Sequence, residues 1–209
     1  QTAHANNLAN VNTTGFKSDL AQARAMPVIG AGYQSRVYAM TERPASDLSG
    51  GVNNHTGREL DVAIQGDGWI GVQATDGREA YTRAGELHVD AVGQLRTGSG
   101  LPVLGDGGPI VLPPSSKIEI GTDGTVTVRV EGSQARELAV VDRIKLVNPD
   151  PKSLSKGQDG LMRVAGGTVA PLDPLVELQS GYIETSNVNA VSELTAMIDL
   201  SRRFEMNVK

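Results

Sequence analysis

Glycine spacing provides the sequence pattern with the clearest chemical meaning. Residues Gly66–Gly71 match the G-x-G-x-x-G fingerprint of dinucleotide-binding loops letter for letter. That fingerprint holds a pyrophosphate only where a helix begins directly after it, whereas residues 72–77 have the composition of a strand and a turn. We therefore predict a glycine-rich hairpin turn here. A kinase-type glycine loop is excluded as well, because no His-Arg-Asp or Asp-Phe-Gly motif follows.

The other residue types that could catalyse a reaction or bind a metal are scattered along the chain. The histidines His4, His55 and His88 lack the spacing of metal ligands. Five Asp-Gly pairs separate apolar runs, which is typical of type I′ hairpin turns. No serine lies in a G-x-S-x-G elbow, and the calcium-binding EF-hand pattern is absent. A pair of carboxylates could still converge in space, as in glycosidases, but no pattern points to one. We therefore predict no catalytic residue, no cofactor and no metal.

Composition narrows the possible functions. The chain has 209 residues and no cysteine, which excludes disulfides, thiolate metal sites and cysteine nucleophiles. Its formal net charge is −5, and its Lys and Arg residues are dispersed. A nucleic-acid surface needs clustered positive charge, so we expect no nucleic-acid partner. No run approaches the roughly 20 apolar residues of a membrane-spanning helix, so we expect no direct membrane insertion.

The C-terminal stretch, residues 187–209, has the periodicity of an amphipathic helix. Asn189 is the predicted N-cap, and Glu193 lies where the helix dipole favours negative charge. Val191 and Ile198 widen an apolar stripe whose other members recur at intervals of 4, 3, 4, 3 and 4, as in the a/d seam of a coiled coil. These members are Ala190, Leu194, Met197, Ser201, Phe204 and Val208. A helix packed on the core of its own domain would show the same stripe.

Only one other stretch of the chain could form a helix that covers this stripe. Residues 1–10 have the composition of the end of a helix, and a turn rich in Asn, Thr and Gly follows at residues 10–16, with Gly15 as a candidate for positive φ. From Glu59 onward, short apolar runs alternate with turn signals. The predicted fold is therefore mainly β with terminal α-helices, in which an antiparallel β domain is inserted between N- and C-terminal helices that pair as a coiled coil.

This pattern divides the chain into five segments. We expect both terminal helices to be truncated parts of longer assembly helices, disordered or weakly paired in the free subunit. The segments are an N-terminal helical segment (1–27), an extended linker and strand region (28–58), the antiparallel β domain (59–170), an extended return (171–186) and the C-terminal coiled-coil helix (187–209).

Long motifs at both ends resemble those of flagellar rod, hook and axial proteins. The first motif is Asn6–Lys17, and the second is Ser180–Val188 followed by Glu193–Ile198. In the middle, Leu60–Trp69 and Ala80–Arg83 resemble the β domain of rod proteins. The chain is thereby identified as a member of the flagellar basal-body rod protein family.

Three further segments favour a proximal rod subunit over a distal one: Gly68–Gln73, Pro102–Ile110 and Arg202–Met206. A distal rod or hook-type axial protein is the alternative. The resemblance implies a structural subunit, not an enzyme, that polymerises through its terminal helices into the driveshaft carrying motor torque across the periplasm. It also implies that its partners are other rod proteins and copies of itself, with the flagellar type III export apparatus as a partner in transit.

The predicted assembly interface combines the N-terminal motif with the apolar stripe. Its residues are Asn7, Leu8, Asn10, Gly15, Phe16, Val191, Leu194, Met197, Ile198, Phe204 and Val208. A β-rich binding module or hydrolase with helical termini is the competing class, and it would have a concave site with convergent polar groups. A phage-tail or secreted adhesion component would share the β pattern but not the N-terminal motif.

Overall fold

The computed structural model describes residues 2–20, 23–27, 37–41, 45–130 and 138–208. Parts of the predicted linker and strand region, 28–36 and 42–44, lie outside these residues. The side chain of Val208 is likewise outside the description, although its backbone belongs to a helix.

Helices occur near both ends of the described chain, and strands lie between them. Helix α1 spans Thr2–Ala9 and helix α2 spans Ala190–Val208. Two short 3-10 turns cover Pro151–Ser153 and Ala165–Gly167. The strands are β1 (Asp19–Leu20), β2 (Ala23–Pro27), β3 (Val37–Thr41), β4 (Ala45–Ser46), β5 (Asn53–His55), β6 (Val62–Gln65), β7 (Trp69–Gln73), β8 (Glu79–Thr82), β9 (Leu87–Val89), β10 (Leu95–Thr97), β11 (Ser115–Ile120), β12 (Thr125–Val130), β13 (Ala139–Arg143), β14 (Leu146–Val147), β15 (Leu154–Lys156), β16 (Met162–Val164), β17 (Glu177–Ser180) and β18 (Tyr182–Glu184).

The described strands pair antiparallel throughout. The largest sheet has the order β14-β7-β8-β16-β15, and a second sheet has the order β11-β12-β13. Two-stranded ladders join β17 to β6 and β18 to β5. The chain that leaves the β domain toward α2 therefore pairs with strands from its beginning, which brings the entry and exit of the domain together.

Aliphatic side chains build the core, as expected for a chain with only 3% aromatic residues. Alternation along β12 shows the principle, because Val126 and Val128 are buried while Thr125 and Thr127 are only partly covered. The main cluster contains Ile70, Leu95 and Ile144 among its buried members. A smaller cluster surrounds Trp69, Tyr81, Val147, Met162 and Ala170.

Two sequence predictions about turns need correction. No non-glycine residue described has positive φ, so the Asp-Gly hairpins are not type I′ turns, which need positive φ at both central positions. Around Gly77, the Ala74 carbonyl accepts from the Gly77 N–H and the Ala74 N–H donates to the Arg78 carbonyl, as in a type I turn closed by a left-handed glycine. Gly66–Gly71 does not form a hairpin either, because β6 and β7 belong to different sheets.

The predicted coiled coil is wrong for the described residues. Helix α1 has 8 residues, little more than two turns, whereas α2 has 19. The described side-chain hydrogen bonds between the two helices join His4 and Asn7 of α1 to Glu193, in the first turn of α2. They do not involve the apolar stripe. The spacing of the stripe correctly indicated an amphipathic helix, but periodicity defines a face and does not identify the partner that covers it.

Within the predicted helical segment 1–27, residues beyond α1 include the strands β1 and β2. Neither helix in the described part of the chain is both long and apolar enough to cross a bilayer.

Candidate assembly interface

Helix α2 presents large apolar side chains to solvent. The N-cap prediction is confirmed, since the Asn189 carboxamide oxygen accepts from the backbone N–H groups of Val191 and Ser192. The apolar stripe is defined here by Ala190, Val191, Leu194, Met197, Ile198, Ser201, Phe204 and Val208. The exposed fractions of its large members are 73% for Val191, 45% for Leu194, 54% for Ile198 and 67% for Phe204. Nothing within the described chain covers most of this face.

Helix α1 fastens the beginning of α2 through polar groups. The Asn7 carboxamide donates to one Glu193 carboxylate oxygen at 2.9 Å, and His4 Nδ1 contacts the other. Asn7 is 1% exposed and also pairs with the backbone of Asp19, donating to its carbonyl and accepting from its N–H. This side chain therefore joins three segments without contributing to an exposed face.

The turn after α1 closes onto the β domain. Gly15 has a φ of +65°, as predicted. Its N–H donates to the Glu184 carbonyl at 2.8 Å, and a Cβ at this position would lie 2.2 Å from the Arg83 carbonyl carbon. Phe16 is buried, with the Lys156 ammonium 3.7 Å from its ring centroid. Only glycine allows this approach of the two backbones.

Below this turn lies a buried cluster of charges, here called the junction cluster: Lys17, Arg83 and Glu184. One Glu184 carboxylate oxygen accepts from the Lys17 ammonium at 2.6 Å and from the Gly51 N–H at 2.9 Å. The other accepts from the Arg83 guanidinium at 2.9 Å. Lys17 also donates to the Ser49 carbonyl, and Arg83 to the Gly66 carbonyl.

The environment of Glu184 favours its charged form. Burial alone raises the pKa of this carboxyl, but hydrogen bonds from Gly51 and Lys17 and the nearby positive charges of Arg83 and Lys17 outweigh it, so that the pKa lies below its usual value of 4.5. The Glu184 carboxylate is therefore ionised at neutral pH and is the shared partner of both cations, whereas burial lowers the pKa of the Lys17 ammonium from its usual value of 10.5 despite the hydrogen bond to Glu184.

A second set of bonds surrounds the junction cluster. The Asn187 carboxamide accepts from the Ser18 N–H and donates to the Asp47 and Ser49 carbonyls. The Lys156 ammonium donates to the Lys17 carbonyl and pairs with Asp19 at 2.8 Å. These contacts link the N-terminal segment, the chain entering the β domain and the chain leaving it.

The predicted interface residues thus fall into two groups. Asn7, Gly15 and Phe16 are buried at contacts within the chain, and Asn10 bonds back to the Asn6 carbonyl after α1. Leu8 and Met197 are half-buried, and the exposed stripe residues of α2 form the second group. Whether either group contacts a neighbouring subunit stays a prediction.

Lys17, Arg83, Glu184 and Asn187 lie within the motifs that carry the family resemblance but are not among the predicted interface residues. Other polar residues surround Lys17, Glu184 and Asn187 in those motifs, so the sequence holds no signal that marks them as buried.

Elsewhere in the described residues, the histidines do not come together and the acidic side chains do not form a metal site. The three histidines have different surroundings: His4 contacts Glu193, His55 packs edge-on against Tyr182, and His88 lies in β9. Among the described residues, no group of three or more His, Asp or Glu side chains could hold a metal ion. A cleft beside Asp123 and Arg143 has a volume of about 50 Å³, which accommodates little more than water.

Three sequence-family models match this chain. The model described as flagella basal body rod protein matches residues 1–17, and the flagellar hook protein FlgE/F/G D1 domain matches residues 63–128. The flagellar basal body rod FlgEFG protein C-terminal model matches residues 179–209. Each matched segment contributes one residue to the junction cluster: Lys17, Arg83 and Glu184.

Curated relatives match along almost the whole chain. The flagellar basal-body rod protein FlgF of Escherichia coli (strain K12) is 42% identical over 215 residues, covering 100% of this chain and 85% of the relative. FlgF of Salmonella typhimurium (strain LT2) shows the same identity and coverage. The flagellar basal-body rod protein FlgG of Buchnera aphidicola subsp. Schizaphis graminum is 36% identical over 225 residues, covering 98% of this chain and 85% of the relative.

These matches confirm the resemblance predicted from the terminal motifs. Identity of this level over this length, with family matches at both ends and in the middle, shows that the chain belongs to the flagellar basal-body rod protein family.

Proposed function

We propose that this chain is a subunit of the proximal rod that polymerises through its terminal helices. Membership of the family makes it a structural component of the flagellar basal-body rod, where it assembles with other rod and basal-body components. The observation that carries the polymerisation proposal is the apolar stripe of α2, whose large side chains remain largely exposed in the single chain.

Burial of such a stripe is a strong driving force for association. Each Å² of apolar surface removed from water contributes roughly 25 cal/mol, and the fully buried side chain of a Val, Leu, Ile or Phe contributes about 1.5–3 kcal/mol. A contiguous apolar face of this kind marks an interaction site more often than a solvated surface. The terminal helices of neighbouring copies and of other rod proteins are the proposed covering surface.

The assignment to the proximal rod rests on similarity. Two relatives named FlgF reach 42% identity, and the FlgG relatives reach 36% and below. Two other relatives named FlgF are 36% and 28% identical, so the assignment depends on the first two. The segments Gly68–Gln73, Pro102–Ile110 and Arg202–Met206 favour the same assignment. A distal rod protein is the alternative within the family.

The proposed route to the rod is passage through the flagellar type III export apparatus in an unfolded state. Beyond its first turn, α2 has little packing within the chain and is marginal by itself in water, so this part of the helix would gain order on assembly. The assembled subunits would then carry motor torque across the periplasm without any catalytic step.

Two substitutions on α2 test the polymerisation proposal. Phe204→Asp places a charge on the apolar stripe, and Met206→Asp places the same charge two residues away on a different face. Both side chains are exposed, at 67% and 70%, so neither change should unfold the subunit. We expect cells that carry only Phe204→Asp to lose motility and rod incorporation, and cells with Met206→Asp to retain both. Normal motility with Phe204→Asp would refute the proposed role of the stripe.

A further inference from the structure

We infer that Glu184 is a positioning residue that locks the assembly helices to the β domain in one orientation. Its carboxylate is the point at which three segments distant in sequence meet, namely the N-terminal motif, the β domain and the return to α2. A role for this fixed orientation in carrying torque would rest on the proposed function, but the orientation itself is a property of the single chain.

The charge balance of the junction cluster makes Glu184 its centre. Lys17, Arg83 and Glu184 are 3%, 5% and 1% exposed, and they comprise two cations and one carboxylate. Isolated buried charges are strongly unfavourable. Each cation has one further hydrogen-bond partner in the described chain, a backbone carbonyl. Arg83 also lies over the Trp69 ring, and Asp47 favours the charge of Lys17 alone, so Glu184 is the one carboxylate bonded to both cations there.

Backbone contacts next to Glu184 extend the lock to the helices. The Glu184 carbonyl accepts from the Gly15 N–H, which fixes the turn directly after α1. Three residues later, the Asn187 carboxamide holds the backbone of Ser18 and Ser49, just before the N-cap of α2. The described segments next to the helices, residues 15–18 and 184–187, are therefore both bonded to the chain around Glu184.

Removing Glu184 should disturb the junction cluster more than removing Lys17. Loss of the carboxylate leaves two buried cations facing each other, whereas loss of the Lys17 ammonium leaves a neutral pair of Arg83 and Glu184. This asymmetry distinguishes a carboxylate shared by two cations from an ordinary buried ion pair, in which removal of either partner has a similar effect.

The orientation of α2 relative to the β domain can be measured on the free subunit by electron-spin distance measurements between two spin labels. The chain has no cysteine, so spin labels can be attached at Thr75→Cys in the β domain and Ser192→Cys on α2, both exposed positions. The labelled parent should give one narrow distance distribution. We expect Glu184→Gln to broaden it, with the β-sheet circular dichroism retained.

Matched variants separate the lock from general destabilisation. Asp159→Asn removes a carboxylate from a more exposed ion pair with Arg163 and should leave the distribution narrow. Lys17→Met should broaden it less than Glu184→Gln, and Lys17→Arg should restore the narrow distribution.

A narrow distribution in folded Glu184→Gln would overturn the inference. If that variant does not fold, Lys17→Met decides, because a distribution equal to that of the parent would then refute the lock. Both results are read on the free subunit, so they do not depend on polymerisation. Failure of the proposed function would instead appear as normal motility with Phe204→Asp.

Discussion

Glu184 of the junction cluster lies six residues before the start of the apolar stripe, yet the two regions place opposite kinds of side chain in the interior and in solvent. The junction buries charges that water would solvate well, and it pairs each of them within the same chain. The stripe exposes apolar groups that water solvates poorly and leaves them largely uncovered. One region is complete in the single subunit, and the other is complete only when something else covers it.

This difference separates two tasks. Buried ion pairs contribute little net stability against a hydrophobic replacement, so the junction is better explained by the geometry that it enforces than by the energy that it supplies. The stripe has the reverse character, since apolar burial is non-directional and supplies free energy. On the proposed function, orientation is therefore set inside the subunit, and the free energy of association comes from burial of the stripe on α2.

The largest loss of subunit stability should follow Glu184→Gln. Removing the shared carboxylate leaves Lys17 and Arg83 buried without an anion, which costs about 3–5 kcal/mol for a broken buried pair. Urea unfolding followed by circular dichroism measures the change. Lys17→Met should cost clearly less, and equal losses in the two variants would contradict the central role of the carboxylate.

Gly15→Val should have the next largest effect. Its positive φ of +65° imposes roughly 1–3 kcal/mol of backbone strain on another residue, and the new Cβ would clash with the Arg83 backbone. Gly107→Val is the control, because no atom lies within 4 Å of a Cβ there. Equal unfolding midpoints for the two variants would show that the turn does not need its close contact.

Acid should weaken the junction selectively. The pKa of Glu184 is lowered in the folded chain, so its contribution to stability is complete above the usual value of 4.5 and is lost as the pH falls through the folded pKa. The difference in unfolding free energy between the parent and Glu184→Gln should therefore shrink below that value. A difference that stays constant from neutral to acidic pH would contradict this account.

The smallest effect on the free subunit should come from Leu194→Ala on the stripe. The side chain is 45% exposed, and exposed substitutions usually change stability by only about 0.5 kcal/mol. In the assembly the same change should cost roughly 2–5 kcal/mol if the side chain becomes fully buried. Comparing subunit unfolding with thermal dissociation of assembled rods tests this, and a large loss in the free subunit would place Leu194 in an internal core.

The sequence was sufficient for features that are local. Asn189 caps α2 and Gly15 adopts positive φ, as their residue types predicted. The junction cluster could not be predicted in this way, because Glu184 pairs with residues 167 and 101 positions away. The coiled coil was wrong for a related reason: an apolar stripe indicates that a face must be covered, and no local rule says which surface covers it.

Trp69 gives the junction a built-in optical signal. It is the single tryptophan of the chain, it is buried in the smaller core cluster, and the Arg83 guanidinium lies 5.5 Å from its ring centroid. A change in how Glu184 holds Arg83 therefore alters the field on the indole directly. Fluorescence of the unlabelled protein can follow the closing of the junction during refolding, or its response to load, without a dye.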